Sequence, residues 1–274
     1  MKDFSIVTSV YKNDNPEYVR LALDSMMVNQ ILKPSEIVLV RDGLVSDALE
    51  SLLCEYEIQY ANVIRVIRLD QNGGLGKALK LGVEEAKHNI IARMDSDDIC
   101  DPNRFELQMR FLEENPDVDI VGGQMTEFIG SPDNIVGKRV VPCTNEEIYE
   151  YMRERCALNH VTVMFKKQTV LNAGNYQDWF WNEDYYLWVR MMINRSKFAN
   201  LPETLVNVRS GIEQYARRGG IKYFKSEAGI QRYMLENDII GKGIYMLNIA
   251  KRLIVQILLP NSIRGWVFRK FART

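Results

Sequence analysis

Four short runs rich in β-branched residues, FSIVTSVY (4–11), EIVLVRD (36–42), VIRVIRL (63–69) and NIIARMD (89–95), each precede a stretch with helical periodicity. Strands separated by helix-length crossovers can pair in parallel but cannot form tight hairpins, so this alternation predicts an α/β fold with helices on both faces of a mostly parallel sheet. Tyr18, Leu21, Ala22, Ser25 and Met26 mark one expected helix face, and Leu75, Ala78, Leu79, Gly82, Val83 and Ala86 another. Asp101-Pro102 offers an acceptor and a pre-set first turn for a helix ending near Asn115-Pro116. After residue 118 the rhythm changes to DIVGGQMTEFI, VGKRVVP, a helix from Asn145, a strand near VTVMF and a helix opening around Asn182, which predicts a mixed-sheet extension. The expected organisation is a first half at 1–118, a second half of the same domain at 119–215, and a C-terminal helical tail at 216–274. At 274 residues and 46% hydrophobic, the chain is long enough to bury a full core.

Lys and Arg number 35 against 36 Asp and Glu, so the total charge gives no case for a nucleic-acid partner. Cys54, Cys100, Cys143 and Cys156 form no CxxC pair, and the two histidines, His88 and His160, lack metal-ligand spacing, which argues against zinc and a disulfide framework. The opening MKDFSIVTSVYKND is too brief and too soon polar for a signal peptide, and no run of about 20 uncharged apolar residues occurs. The expected compartment is a reducing cytoplasm.

Open α/β sheets bind ligands beyond the carboxyl ends of their strands, where Asp42, the loop at 70–77 and the turn at 95–98 should converge. Arg93-Met94-Asp95-Ser96-Asp97-Asp98 packs three carboxylates into four residues after an apolar strand. A hard divalent ion shared with phosphate oxygens offsets such repulsion; a solvated acidic turn is the other reading. Asp70-Gln71-Asn72-Gly73-Gly74-Leu75-Gly76-Lys77 is a glycine-rich turn whose amides and lysine suit a pyrophosphate or simply cap a helix. Gln71 and Ala78 stand where a P-loop has Gly and Ser/Thr, which excludes that motif. Asp42 in Val40-Arg41-Asp42-Gly43 fits a nucleobase acceptor or a turn residue equally. In Trp179-Phe180-Trp181-Asn182-Glu183-Asp184, the acids either complement a helix dipole or act as a general base beside an aromatic sugar platform.

Taken in order, Asp42, the glycine-rich loop, Asp95 to Asp98 and Glu183-Asp184 resemble the family 2 glycosyltransferases of GT-A fold, over about residues 4–210. FSIVTSVYKND resembles that family's first strand and nucleotide-facing loop, VRDG its VDDGS, and NGGLGKALKLG its N-x-G-x-x-x-A-x-N-x-G stretch. The resemblance implies a nucleotide-sugar site at Ser9, Tyr11, Asp42, Asn72, Gly73, Gly74, Lys77, Arg93 and Asp95, with Asp42 on uracil. It further implies Mn2+ or Mg2+ at Asp97 with Asp95, and Asp184 as catalytic base assisted by Glu183. One base opposite the leaving group implies inversion. Arg41 and Leu44 depart from VDDGS, and the QxxRW of processive synthases is absent, which points to a single sugar transfer. His160, in a segment resembling the family's acceptor side, also fits a structural role. Arg209, Arg217 and Arg218 fit either the leaving diphosphate or surface charge.

Residues 241–274 hold seven basic residues and no acid. Within 244–259, Asn248, Lys251, Arg252 and Gln256 share one helical face, and Ile244, Leu247, Ile249, Ile254, Ile257 and Leu258 cover much of the rest. With Trp266, Phe268 and Phe271 beyond Pro260, this suits an anionic bilayer surface, each Lys or Arg adding about 1 kcal/mol; packing on the catalytic domain or in a dimer is the alternative. The expected protein is thus an inverting UDP-sugar transferase acting on a glycan or lipid-linked glycan, peripheral on the cytoplasmic membrane face. A sugar-phosphate nucleotidyltransferase would carry glycine after its first strand, where Ser9-Val10-Tyr11-Lys12-Asn13 has none. A non-catalytic sugar-nucleotide binder has no need of Asp184.

Overall fold

The computed structural model describes residues 3–211 and 220–259. Its first half runs β1 (Ser5–Tyr11), α1 (Pro16–Met27), β2 (Glu36–Asp42), α2 (Asp47–Gln59), β3 (Ile64–Arg68), α3 (Leu75–Glu85) and β4 (Ile90–Arg93), the βα alternation legible in the sequence. There follow β5 (Ile99–Cys100), α4 (Arg104–Glu114), β6 (Ile120–Phe128), β7 (Ile135–Arg139), α5 (Asn145–Met152), β8 (Met164–Lys166), α6 (Lys167–Asn172), α7 (Glu183–Ile193) and β9 (Phe198–Arg209). Helices α8 (Ile221–Glu236) and α9 (Lys242–Arg252) close the described chain, with a π-helical turn at Leu253–Leu258.

The strands form one nine-stranded sheet in the order β3-β2-β1-β4-β8-β6-β9-β5, with β7 paired to β6. β1 to β4 are mutually parallel, whereas β8 runs antiparallel to both β4 and β6, giving the mixed extension expected after residue 118. Strand alternation divides the apolar residues between two cores. Ile6, Ile37, Leu39, Ala92, Val121 and Met164 face α1, α2 and α4; Val7, Val38, Val40, Ile91, Ile120 and Phe165 face α3, α5, α7 and α8.

Local chemistry sets the helix starts. The Asn15 side chain accepts the Glu17 N–H at 2.9 Å ahead of Pro16, and Thr144 and Glu147 form a reciprocal capping box for α5. The α1 face is shifted from the one expected, of which Ala22, Ser25 and Met26 are buried. Val19, Ala22, Leu23 and Met26 are buried, because they make a more continuous apolar stripe, while Tyr18 and Leu21 are exposed. Tyr18 instead carries the Arg209 guanidinium over its ring at 3.8 Å. Leu75 is exposed at the first residue of α3. The strand expected near residue 161 begins later, because His160–Thr162 forms a 3-10 turn.

In α9 the polar row is the packed face. Asn248 donates to Gln231 Oε1 at 2.8 Å, Arg252 to Glu227 Oε2 at 2.7 Å, and Gln256 to the same carboxylate oxygen at 2.8 Å. Lys251 remains outside, paired with Glu154 at 3.1 Å. Among the described residues no helix is long and apolar enough to cross a membrane.

Gly82 lets α3 lie close on the sheet: a Cβ there would come within 2.5 Å of Val7 Cγ1. Neither side chain nor strand has room to yield, so Gly82→Val should destabilise the fold by about 1–3 kcal/mol, read as a lower urea midpoint with unchanged m.

Candidate active site

The strand order reverses between β1 and β4, the switch point at which a doubly wound sheet opens a crevice. Tyr11 is the register partner of Asp42, and Val7 that of Arg93, so the carboxyl ends of β1, β2 and β4 emerge side by side. Ser9, Tyr11, Asp42 and the turn after Arg93 are thereby brought to one edge.

In that turn, carboxylate oxygens of Asp95, Asp97 and Asp98 lie within 4.8 Å of one another. Burial pushes the Asp97 carboxyl up to about 7, and Asp95 and Asp14 add repulsion. Asp98 is raised well above its usual range by burial, then by Asp95 and Asp97. Its Oδ1 accepts the Arg209 N–H at 2.8 Å, while its buried Oδ2 has no hydrogen-bond partner. A site that raises its carboxyls and leaves a buried carboxyl oxygen unmatched is short of positive charge, and a divalent cation fits it.

Three arginines hold the turn. Arg93, fully buried, donates to Asp95 Oδ1. Arg104, also fully buried, donates to Arg93 O at 2.7 Å and to Gln108 Oε1 at 3.1 Å, fixing the strand end from below. Arg209 donates from Nε to Asp97 O at 3.1 Å. This arginine was expected at the leaving diphosphate or on the surface; here it buttresses the acidic turn. Asp14 was not anticipated: its carboxylate accepts the Ser96 hydroxyl at 3.0 Å and the Tyr11 N–H at 3.1 Å. Burial pushes it up to about 6. The only sequence sign was the polar turn Asn13-Asp14-Asn15, which reads equally as a cap for α1.

Asp42 and the glycine-rich loop bind each other. Asp42 Oδ1 accepts the Gly73 N–H at 2.6 Å, Oδ2 accepts the Gly74 N–H at 2.9 Å, and Asn72 Nδ2 donates to Asp42 O at 3.1 Å. Gly43 makes this approach possible, with φ of +83° and a would-be Cβ only 2.6 Å from Asn72 N. The two amides expected to face a pyrophosphate therefore hold the Asp42 carboxylate in this structure. Lys77 is exposed one turn into α3, its chain packed beside Gly73.

The acid pair Glu183-Asp184 lies in the first turn of α7. A Cβ on Gly76 would sit 3.6 Å from Glu183 Cβ, so the glycine-rich segment and the acids are neighbours. Burial pushes Glu183 up to about 7, with Asp184 adding repulsion. Asp184 is also raised by burial, while the Tyr185 N–H and the Arg93 charge act the other way. Arg93 thus serves Asp95 and both acids of α7 from one buried position. Phe180 and Trp181 are exposed and stacked, ring centroids 4.7 Å apart, beside these acids. Trp179 turns away, donating to Ser226 O of α8 at 3.0 Å.

His160 Nε2 lies 2.9 Å from the Tyr176 hydroxyl, and burial, helped by Arg93, holds its imidazole neutral. It packs edge-on to Trp188, a structural setting beneath the site. Arg217 and Arg218 lie outside the described residues.

Comparisons with known proteins agree with this geometry. Residues 5–180 match the model of Glycosyl transferase family 2. The amylovoran biosynthesis glycosyltransferase AmsE of Erwinia amylovora is 39% identical over 89% of this chain and 91% of its own length. A UDP-Gal:alpha-D-GlcNAc-diphosphoundecaprenol beta-1,3-galactosyltransferase of Escherichia coli is 35% identical, covering 98% of this chain and 96% of the relative. Among solved structures, residues 1–349 of S. aureus TarS in complex with UDP-GlcNAc superpose with a TM-score of 0.66 at 16% identity, over 92% of this chain and 73% of that one, a likeness of fold. A sheet that opens at β1 and β4, an acidic turn at the crevice and relatives matched almost end to end lead to one conclusion: the chain belongs to glycosyltransferase family 2 and is a glycosyltransferase.

Proposed function

We propose that the enzyme transfers one sugar from a UDP-sugar to a hydroxyl of a lipid-linked glycan in polysaccharide biosynthesis, with divalent metal and inversion at the anomeric carbon. The observation that carries this reading is the crevice itself, with a cation-seeking acidic turn on one wall and an elevated carboxyl pair on the other. The names of the two curated relatives support a UDP-linked donor, a diphosphoundecaprenol-linked acceptor and polysaccharide assembly, and this chain spans nearly all of each. A lipid-linked acceptor would place the enzyme peripherally on the cytoplasmic face of the plasma membrane.

Asp97 with Asp95 would hold Mn2+ or Mg2+, which when bound offsets the charge developing on the departing diphosphate. Lys77 adds positive charge from α3, and Asp42 keeps the glycine-rich loop in shape against β2. Asp184 takes the proton of the attacking hydroxyl, and its burial makes it a stronger base than a solvated carboxylate. Glu183, when ionised, adds like charge beside it and raises its basicity further. The Arg93 charge favours the ionised form of both carboxyls against their burial. Attack from the Asp184 side, opposite the leaving group, inverts the sugar.

Calorimetric titration of UDP should show binding with Mn2+ that disappears in EDTA and weakens at least about tenfold in Asp97→Asn. UDP that binds equally well in EDTA would end the metal assignment. Asp42→Ala should weaken UDP about tenfold by releasing both glycine amides from a charge-assisted pair, whereas an unchanged affinity would make Asp42 dispensable to the donor site. Asp184→Asn should lower kcat by about 10² to 10⁴. Because the base must be ionised and burial raises the Asp184 carboxyl, kcat/KM should fall on an acid limb that lies above the ordinary carboxylate range. Glu183→Gln should move this limb to lower pH by removing like charge beside Asp184. A flat profile, or a product retaining the donor's anomeric configuration, would sink the base assignment.

A further inference from the structure

α9 and the π-helical turn after it are inverted relative to a soluble surface helix. Asn248, Arg252 and Gln256, spaced by four, are buried. Each is tied to α8 at Gln231 or Glu227, and Asn248 and Arg252 also donate to the carbonyls of Arg153 and Glu154 at 2.9 and 2.6 Å. On the other side, Met246, Leu247, Leu253, Ile254 and Leu258 are 41% to 69% exposed. Positions 247, 254 and 258 fall seven and eleven residues apart and 246 and 253 seven apart, so all five lie on one stripe. A helix that hides its polar row and offers its apolar one is built to meet something apolar.

The charge carried by this part of the chain says what that is. Lys242 is exposed on α9, Lys251 is exposed while paired with Glu154, and in the sequence the 241–274 segment contains seven basic residues and no acid, four of them beyond the described residues. A second copy of the chain would set like charges against each other across a two-fold interface, whereas an anionic lipid headgroup layer complements them. We infer that the outward face of α9 and its π-helical turn docks the enzyme on an anionic lipid bilayer, with Leu247, Ile254 and Leu258 entering the acyl boundary. Buried polar bonds hold that stripe rigidly outward, so no refolding precedes docking. α8 links the docked face to the chemistry. It carries α9 on one side, and on the other Ser226 accepts from Asn182 Nδ2 at 3.0 Å and donates to Phe180 O at 2.6 Å, in the segment that leads into Glu183. Docking would thereby orient the base wall of the crevice at the bilayer, where a lipid-linked acceptor presents its hydroxyl. This orientation rests on the reading of the acceptor as lipid-linked, but the docking itself does not.

The test is sedimentation of the full chain with phosphatidylcholine vesicles, with and without phosphatidylglycerol, at low and high salt. The wild type should sediment with the anionic vesicles and less so at high salt. Leu247→Glu combined with Ile254→Glu should reduce partition at least about tenfold, since each lost side chain removes apolar burial and adds a repelled charge. Ile254→Trp should raise partition, which keeps the idea testable if the double variant folds poorly. A wild type that stays in the supernatant at low salt overturns the proposal, as does a double variant that sediments normally. Light scattering that shows a wild-type dimer dissociated by the double variant would assign the stripe to a second copy instead. Metal-dependent UDP titration of the same samples separates the two readings: vesicle binding without UDP binding would count against the donor site and leave docking intact.

Discussion

Mutual repulsion of Asp95, Asp97 and Asp98 is the constraint around which the rest of this molecule is arranged. Left to itself such a turn would splay into water. Here it is closed from four directions: Arg93 from the strand before it, Arg104 from beneath, Arg209 from β9, and Asp14 through Ser96 from the turn after β1. These residues come from separate stretches of chain, so the turn keeps its shape only when β1, β4, α4 and β9 are all in place. The residual imbalance, a buried unmatched oxygen and raised carboxyls, is one that a bound cation would offset.

Arg93 gives the site a second kind of unity. It lies under both walls, bonded to Asp95 and acting on Glu183 and Asp184. A single buried cation facing two acidic groups couples them, because a change of charge on one wall alters how strongly Arg93 supports the other. The acidic turn and the α7 pair therefore share an electrostatic floor, and α8 adds a mechanical one by holding the segment ahead of Glu183.

Local periodicity made the first half of the fold readable. Strands β1 to β4 and the helices between them are separated by short turns, and each announces itself by β-branched content and an apolar stripe. The long strand β9 was not legible, because Asn200, Pro202, Glu203 and Asn207 interrupt its apolar pattern and its identity comes from pairing with β6. The α1 face was misread for a related reason: Tyr18 looks like core by composition, but its ring is used by Arg209. In the site, Asp95 to Asp98 and Glu183-Asp184 stood out as charge where charge is costly. Asp14 and the mutual grip of Asp42 with Gly73 and Gly74 did not, since both depend on contacts between distant segments. The tail showed its two faces in the sequence but not which one packs, because that is decided by Glu227 and Gln231 on another helix.

The bond from the Arg209 N–H to Asp98 spans 111 residues of sequence. Closing so long a loop is entropically slow, and it must wait for β9 to add in parallel beside β6 after the whole α/β half has formed. As the chain leaves the ribosome from its amino end, β9 is the last strand of the sheet to be made, and the acidic turn cannot reach its final shape before it. A chain that ends before β9 has its parallel strands but lacks the Arg209 N–H that Asp98 accepts, and so cannot finish the acidic turn.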